Sequence, residues 1–328
     1  MIAFDYARPT TIDAAVATAA NTHARFIGGG TNLLDLIKGG VEQPALLIDV
    51  NHLDLSAVEE LPDGGLRIGA AARNSDVANH ALVREHYPLL ARALLAGASP
   101  QLRNMATIGG NLMQRTRCDY FVDTGFARCN KRHPGSGCAA RDGQNHLHAI
   151  LGASEQCVAV NPSDMSVALL ALGATVNVRS NAGERKLAMA DFHRLPEDHP
   201  ERDTNLNPGE LIVSVDLPRP RFAQKYHYLK VRERASFAFA LVAVAVGLDV
   251  DEGGRVREAA IALGGVAHKP WLARDAAALL TGKTAQDADL DAVAAAAVSG
   301  AQPLSRNAYK IPLAKNAVVR AIKNAMEA

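Results

Sequence analysis

Cys118, Cys129, Cys138 and Cys157 are the only four cysteines in a chain of 328 residues, and all lie in one polar stretch. Thiolates attack, form disulfides and bind soft metals. The spacing leaves several of these chemistries open. Four thiolates suit structural zinc, with His133, His146 or His148 as substitute donors. They suit two disulfides in an exported protein. They also suit an iron–sulfur cluster, although the spacing is not the ferredoxin run. Free thiols are the remaining alternative. Arg115, Arg117, Arg128, Lys131, Arg132 and Arg141 surround them. Those cations would offset the charge of thiolate ligands. Gly135 and Gly137 let the backbone bend closely around a core.

Two glycine turns are the second chemical feature. "IGGGTN" (Ile27–Asn32) and "ATIGGN" (Ala106–Asn111) each offer backbone N–H groups that can converge on an anion, with a following helix adding partial positive charge. Neither matches the G-x-G-x-x-G fingerprint or the lysine-bearing Walker pattern. Each can equally be a tight loop. Two phosphate-style turns suit the pyrophosphate of a dinucleotide better than a mononucleotide.

The elements around these features read as two α+β units. "MIAFDYARP", "ARFI", "ALLIDV" and "LRIGAAA" predict strands. "TTIDAAVATAA", capped by Thr10 or Thr11, and the segment capped by Thr31 after the first glycine turn predict helices. "VREHYPLLARALLAGA" and "PSDMSVALLALGA" also predict helix, and "TVNVRSNAGERKLAM" a hairpin about Asn-Ala-Gly. "ELIVSVDLP" is a further strand. Beyond a linker near Pro218–Ala223 come three strand patterns with a turn at "DEGG", then three helical runs. The boundaries predicted are 1–222 and 223–328, with a cysteine-rich insert at about 115–160.

Composition limits the function classes. With 48% hydrophobic residues and a formal net charge of +1, nothing predicts nucleic acid or an anionic membrane as partner. No run is apolar enough to predict membrane insertion. "MIAFDYARPT" predicts no cleavable signal.

"FIGGGTNLLDLIK", "QLRNMATIGGNL", "PSDM", "GELIVSVDLP", "YLKVRERASFAFALV" and "ALGGVAHKPW" occur in this order. Together they resemble the FAD-binding subunit of the xanthine dehydrogenase, or molybdenum hydroxylase, family. The resemblance covers essentially the whole chain. It implies an α+β fold: a two-lobed FAD domain of the vanillyl-alcohol-oxidase type, then a small domain with a three-stranded antiparallel sheet and helices. It implies that Phe26, Ile27, Gly28, Gly29, Gly30, Thr31, Asn32, Leu33 and Leu34 wrap the FAD pyrophosphate. Thr107, Gly110 and Asn111 would form the second FAD loop. Asp164 would hold the adenosine side, Ile212 would pack on the flavin ring and Lys230 would lie near the ring's polar edge. On the residues alone, Ile212 reads as core, and Asp164 has the alternative of a helix N-cap and Lys230 that of a solvated strand lysine.

About fifty residues separate Asn111 from Asp164, where ordinary members of the family have a few. "QRTRC", "CNKR", "PGSGCAA" and "SEQC" within this insert are similar to the FAD subunit of bacterial periplasmic aldehyde oxidoreductases. That resemblance implies a [4Fe-4S] cluster on Cys118, Cys129, Cys138 and Cys157. It implies two partner subunits, a large one with molybdenum cofactor and a small one with [2Fe-2S] centres. Aldehyde chemistry would occur on the partner, so no catalytic residue is expected here. Electrons would leave to a one-electron acceptor such as a ferredoxin, docked by the insert's basic residues. Location would be periplasmic by co-export on a partner's signal, or cytoplasmic without one. The flavin subunit of a hydroxybenzoyl-CoA reductase and a zinc-binding scaffold are the competing readings.

Overall fold

The computed structural model describes residues 2–20 and 23–328. β1 (Asp5–Ala7), β2 (Ala24–Ile27) and β3 (Leu46–Asp49) form a parallel sheet in the order β1-β3-β2. Parallel neighbours need crossovers, and the helices Ile12–Ala19 and Leu33–Lys38 lie between them in sequence. Thr11 caps the first, its Oγ1 accepting from Ala14 N at 3.2 Å. Ala15, Val16 and Ala19 bury against Ile48 and Leu53. The second helix is preceded by Asn32, not Thr31, and Asn32 makes no side-chain cap bond.

β4 (Val58–Glu60), β5 (Leu66–Gly69), β6 (Thr175–Ser180), β7 (Gly183–Ala188) and β8 (Leu211–Leu217) form an antiparallel sheet in the order β4-β5-β8-β6-β7. Ser180 pairs with Gly183, so Asn181 and Ala182 make the predicted hairpin turn. The apolar run after β5 is split into Ala81–His86 and Pro88–Ala96. Pro88 lacks the N–H that would continue the first helix but suits the first turn of the second. Pro88–Ala96 and Asp164–Ala171 share one core with this sheet.

β9 (Lys225–Val231), β10 (Val242–Val250), β11 (Val256–Gly264) and β12 (Trp271–Leu272) form the third sheet, antiparallel, in the order β12-β11-β10-β9. It has four strands where three were expected. β12 pairs only Trp271 and Leu272 with Leu263 and Ala262, too few residues for an alternating pattern to register. One face packs on the helices Arg274–Ala278, Leu290–Ala297 and Lys310–Glu327 through Val244, Val246, Val318 and Ile322. Ala243 and Ala245 join the core shared with the second sheet. With both faces covered, "VAVAVGL" is buried throughout and shows no polar alternation.

The insert has only the short helices Asp119–Val122 and Ala139–Asp142. Its shape comes from turns and side-chain clamps. Gly135 and Gly137 take φ of +87° and +92°, which a side chain would strain. Arg132 donates to the carbonyls of Tyr120, Phe121 and Phe126. The far end of the insert is fastened to the third sheet: Ile150 and Leu151 enter its core, and both their N–H groups bond Val266 O. Among the described residues no helix is long and apolar enough to cross a membrane.

Candidate functional site: a two-chambered cleft beside a thiol cavity

The two glycine turns lie against each other. A side chain at Gly29 would collide with the Met105 carbonyl, and one at Gly28 or Gly110 would stand 2.8 or 2.9 Å from Thr107 Oγ1. Thr107 Oγ1 accepts from Gly110 N at 3.1 Å. Arg73 donates to Met105 O and to Asn51 Oδ1, and Asn51 donates to Gly28 O at 3.0 Å. Glycine at position 29 is therefore required by protein backbone before any ligand is considered.

Two cavities open from this junction. One, of about 820 Å³, is lined by Phe26 to Leu33, Thr107, Gly110 and Ile212. The other, of about 590 Å³, is lined by Asn111, Asp164 and Tyr228. Thr31, Asn32 and Gly110 line both. Asn32 Nδ2 is buried there without a hydrogen-bond partner, a donor suited to an anion. Leu34 is not among the lining residues; its side chain sits beneath Gly30. Asn111 Oδ1 accepts from Ser163 Oγ at 2.7 Å, which ties the second turn to the next helix.

Asp164 is not the cap of that helix. Ser163 is, with Oγ accepting from Ser166 N at 3.0 Å. Asp164 is thereby free to accept from Lys230 Nζ and Tyr228 Oη, both at 2.7 Å. The ion pair is nearly dry, with side chains 4% and 8% exposed. Burial and the Asp164 charge push the Tyr228 hydroxyl pKa up, so it stays a donor. Tyr228 and Lys230 are two apart on β9 and share a face, a signal available in "YLK". The expected roles set Asp164 at the adenosine and Lys230 at the flavin edge. Direct contact puts them at the same end of the cleft, while Ile212 lines the other chamber. Lys230 is also no solvated lysine, and its charge is already answered by Asp164.

Cys118, Cys129, Cys138 and Cys157 line one cavity, with Arg128, Lys131 and Asn130 among its walls. All four are free thiols. Cys129 and Cys138 face each other across an isolated antiparallel bridge. Burial, then the neighbouring cysteines, pushes the Cys118 thiol up to about 12. Burial likewise takes Cys157 to about 11. Thiolates at this place call for a countercharge at their centre. Among the described residues no three His, Cys, Asp or Glu side chains gather as a single-ion site. His133 and His146 are exposed, whereas His148 is buried with Nε2 3.1 Å from Cys118 Sγ. Cys118 and Thr116 line both the thiol cavity and the Asp164 chamber.

The basic residues of the insert are largely engaged inside the protein. Lys131, with 1% of its side chain exposed, donates to Asp203 Oδ1 and Pro200 O, both at 2.6 Å. Arg115 bonds Asp203 Oδ2 at 2.8 Å and Glu42 Oε1 at 2.5 Å. Arg132 is spent on carbonyls, Arg141 pairs with Glu155, and Arg117 lies over the Phe239 ring at 5.2 Å. Arg128 is the most open of the six and pairs with Asp142. The expected basic docking face is thus mostly internal wiring. Asp203, its organising carboxylate, lies outside the insert in a loop with no recognisable pattern.

Residues 2–220 match the family described as the FAD binding domain in molybdopterin dehydrogenase, and residues 227–325 match the CO dehydrogenase flavoprotein C-terminal domain. The chain is 50% identical to the aldehyde oxidoreductase FAD-binding subunit PaoB of Escherichia coli strain K12, over 99% of each chain. It is 27% identical to the carbon monoxide dehydrogenase medium chain of Afipia carboxidovorans, over 92% of this chain and 88% of that one. Among solved structures it resembles reconstituted CO dehydrogenase from Oligotropha carboxidovorans, with a TM-score of 0.78 at 26% identity, covering 100% of this chain and 99% of that one. Quinoline 2-oxidoreductase from Pseudomonas putida 86 is similar at a TM-score of 0.76 and 26% identity, over 99% and 98% of the two chains. The interlocked glycine turns, the cleft they divide and the full-length matches together place this chain in the molybdenum hydroxylase family, as an FAD-binding oxidoreductase subunit.

Proposed function

We propose that this chain is the electron-transfer subunit of a heterotrimeric, molybdenum-containing aldehyde oxidoreductase, carrying FAD and a [4Fe-4S] cluster. The substrate aldehyde is oxidised to a carboxylate on a large molybdenum-cofactor partner, and a small [2Fe-2S] partner delivers the electrons here. Bound FAD would supply two-electron chemistry that can also run in single steps, and a cluster held by Cys118, Cys129, Cys138 and Cys157 would pass electrons one at a time to an external acceptor such as a ferredoxin. The complex works in the periplasm, exported with a signal-bearing partner.

The carrying observation is that Cys118 lines both the thiol cavity and one chamber of the FAD cleft. Electron transfer favours short separations, so the flavin ring belongs in that chamber, beside Asp164 and Tyr228. The adenosine then lies in the chamber with Ile212, and the pyrophosphate at Thr31, Asn32 and Gly110, which both chambers share. This exchanges the ends first expected for Asp164 and Ile212. Asn32 Nδ2 supplies an unused donor at the phosphates. Lys230 holds Asp164 in place, and Cys118, Cys129, Cys138 and Cys157 hold the cluster.

The test is metal and flavin analysis with electron paramagnetic resonance of the reduced complex. Wild type should hold four irons in this subunit beyond those of the [2Fe-2S] partner. Cys129→Ser and Cys138→Ser should abolish the four-iron signal and keep FAD, since neither cysteine lines the cleft. Stoichiometric zinc in wild type, or unchanged iron in both variants, overturns the reading.

A further inference from the structure

The cluster reading leaves one buried polar side chain beside Cys118, in the wall of the Asp164 chamber, without a task. His148 is 6% exposed and its Nε2 lies 3.1 Å from Cys118 Sγ. A thiolate ligand can only accept, so beside a ligated Cys118 the imidazole carries its proton on Nε2 and donates it. Nδ1 then needs no donor role, and it has no partner. The ring lies 6.4 Å from that of Tyr120 and lines the chamber that Cys118 also reaches.

The C-terminal unit fixes this histidine by its main chain. Asn307 Nδ2 donates to the carbonyls of His148 and Ala149, each at 3.1 Å. Lys310 Nζ, on the last helix and fully buried, donates to Leu147 O at 3.1 Å, His148 O at 3.0 Å and Gly265 O. Gly265 itself lines the Asp164 chamber. Lys310 thus braces two walls of the Asp164 chamber, one at Leu147 and His148 and one at Gly265.

We infer that His148 is a positioning residue for the cluster, donating a hydrogen bond to the Cys118 ligand on the side facing the flavin, and that Asn307 and Lys310 hold it there. The inference rests on the cluster reading above. A donor to a ligand sulfur stabilises the more negative, reduced cluster and raises its reduction potential. Of the four ligands Cys118 alone borders the flavin chamber, so this bond acts where the electron enters.

The experiment is a redox titration of the cluster in the purified complex, followed by electron paramagnetic resonance, with iron and flavin measured in each sample. His148→Phe should retain four irons and FAD but shift the cluster midpoint to lower potential, leaving the [2Fe-2S] midpoints in place. His148→Gln, which can donate again, should recover part of the shift. Asn307→Ala, which touches neither cofactor, should move the midpoint the same way by less. A fully loaded His148→Phe complex with an unmoved midpoint overturns the inference while the cluster reading stands. Loss of iron in His148→Gln overturns it too, by making the histidine a ligand or a prop. Wild type without the cluster removes both.

Discussion

Lys131 Nζ and Asp203 Oδ1 stand 2.6 Å apart, joining the cysteine-bearing insert to a loop between β7 and β8. Arg115 adds a second cation to the same carboxylate, and His268 Nε2 lies 3.6 Å from it. Burial pushes the Asp203 carboxyl up, but Lys131, Arg115 and His268 outweigh it and hold it well below its ordinary 3.8. A depressed carboxylate contributes stability above its ordinary value and loses it as pH falls toward the folded one. Asp203→Asn should therefore cost about 3 kcal/mol at pH 7, because Lys131 stays buried without a countercharge. The gap from wild type should narrow below about pH 4. Urea unfolding at pH 7 and at pH 3 measures it; a gap constant across both would show that the ion pair is not its source.

Gly29 meets a packing demand whether or not phosphate is bound. Its missing side chain makes room for the Met105 carbonyl, so even Gly29→Ala should destabilise the protein by about 1–3 kcal/mol. FAD loss should follow unfolding of the first lobe. Thermal melts of flavin-stripped protein decide the point: an unchanged midpoint would return Gly29 to a ligand-only role.

Lys230→Met leaves the Asp164 carboxylate nearly dry, with Tyr228 as its remaining partner. A loss of about 3 kcal/mol is expected, together with a lower flavin-to-protein ratio. Adding Asp164→Asn removes the stranded charge, so the double variant should lose less than the sum of the two singles. Additive losses in chemical denaturation would mean that the pair is not coupled.

The proposed route predicts the acceptor. Anaerobic turnover of the purified complex with an aldehyde should be fast with a one-electron dye or ferredoxin and slow with NAD⁺. Neutralising Arg128, the most open of the insert's arginines, should reduce the ferredoxin rate by a few-fold at most, since Arg115, Lys131 and Arg132 are committed internally. Rapid NADH formation would show that the flavin is open to nicotinamide and that the insert is not the exit.

The sequence by itself determined the class of chemistry. Ordered motifs with the glycine turns named the family, and local periodicity located most strands and helices, because caps, turns and apolar spacing act over a few residues. It also singled out the four cysteines, whose confinement to one stretch needs no coordinates. What it left open is long-range. That Asp164 does not cap the helix and lies in the cleft wall depends on Ser163 taking the cap and on Lys230, 66 residues away, taking the carboxylate. The glycine of position 29 and the fate of Lys131 depend on Met105 and Asp203, each contributed by a distant loop. β12 and the His148–Cys118 contact are likewise invisible in one dimension. Such pairings arise only when separate elements pack, and burial then decides which charges must find each other.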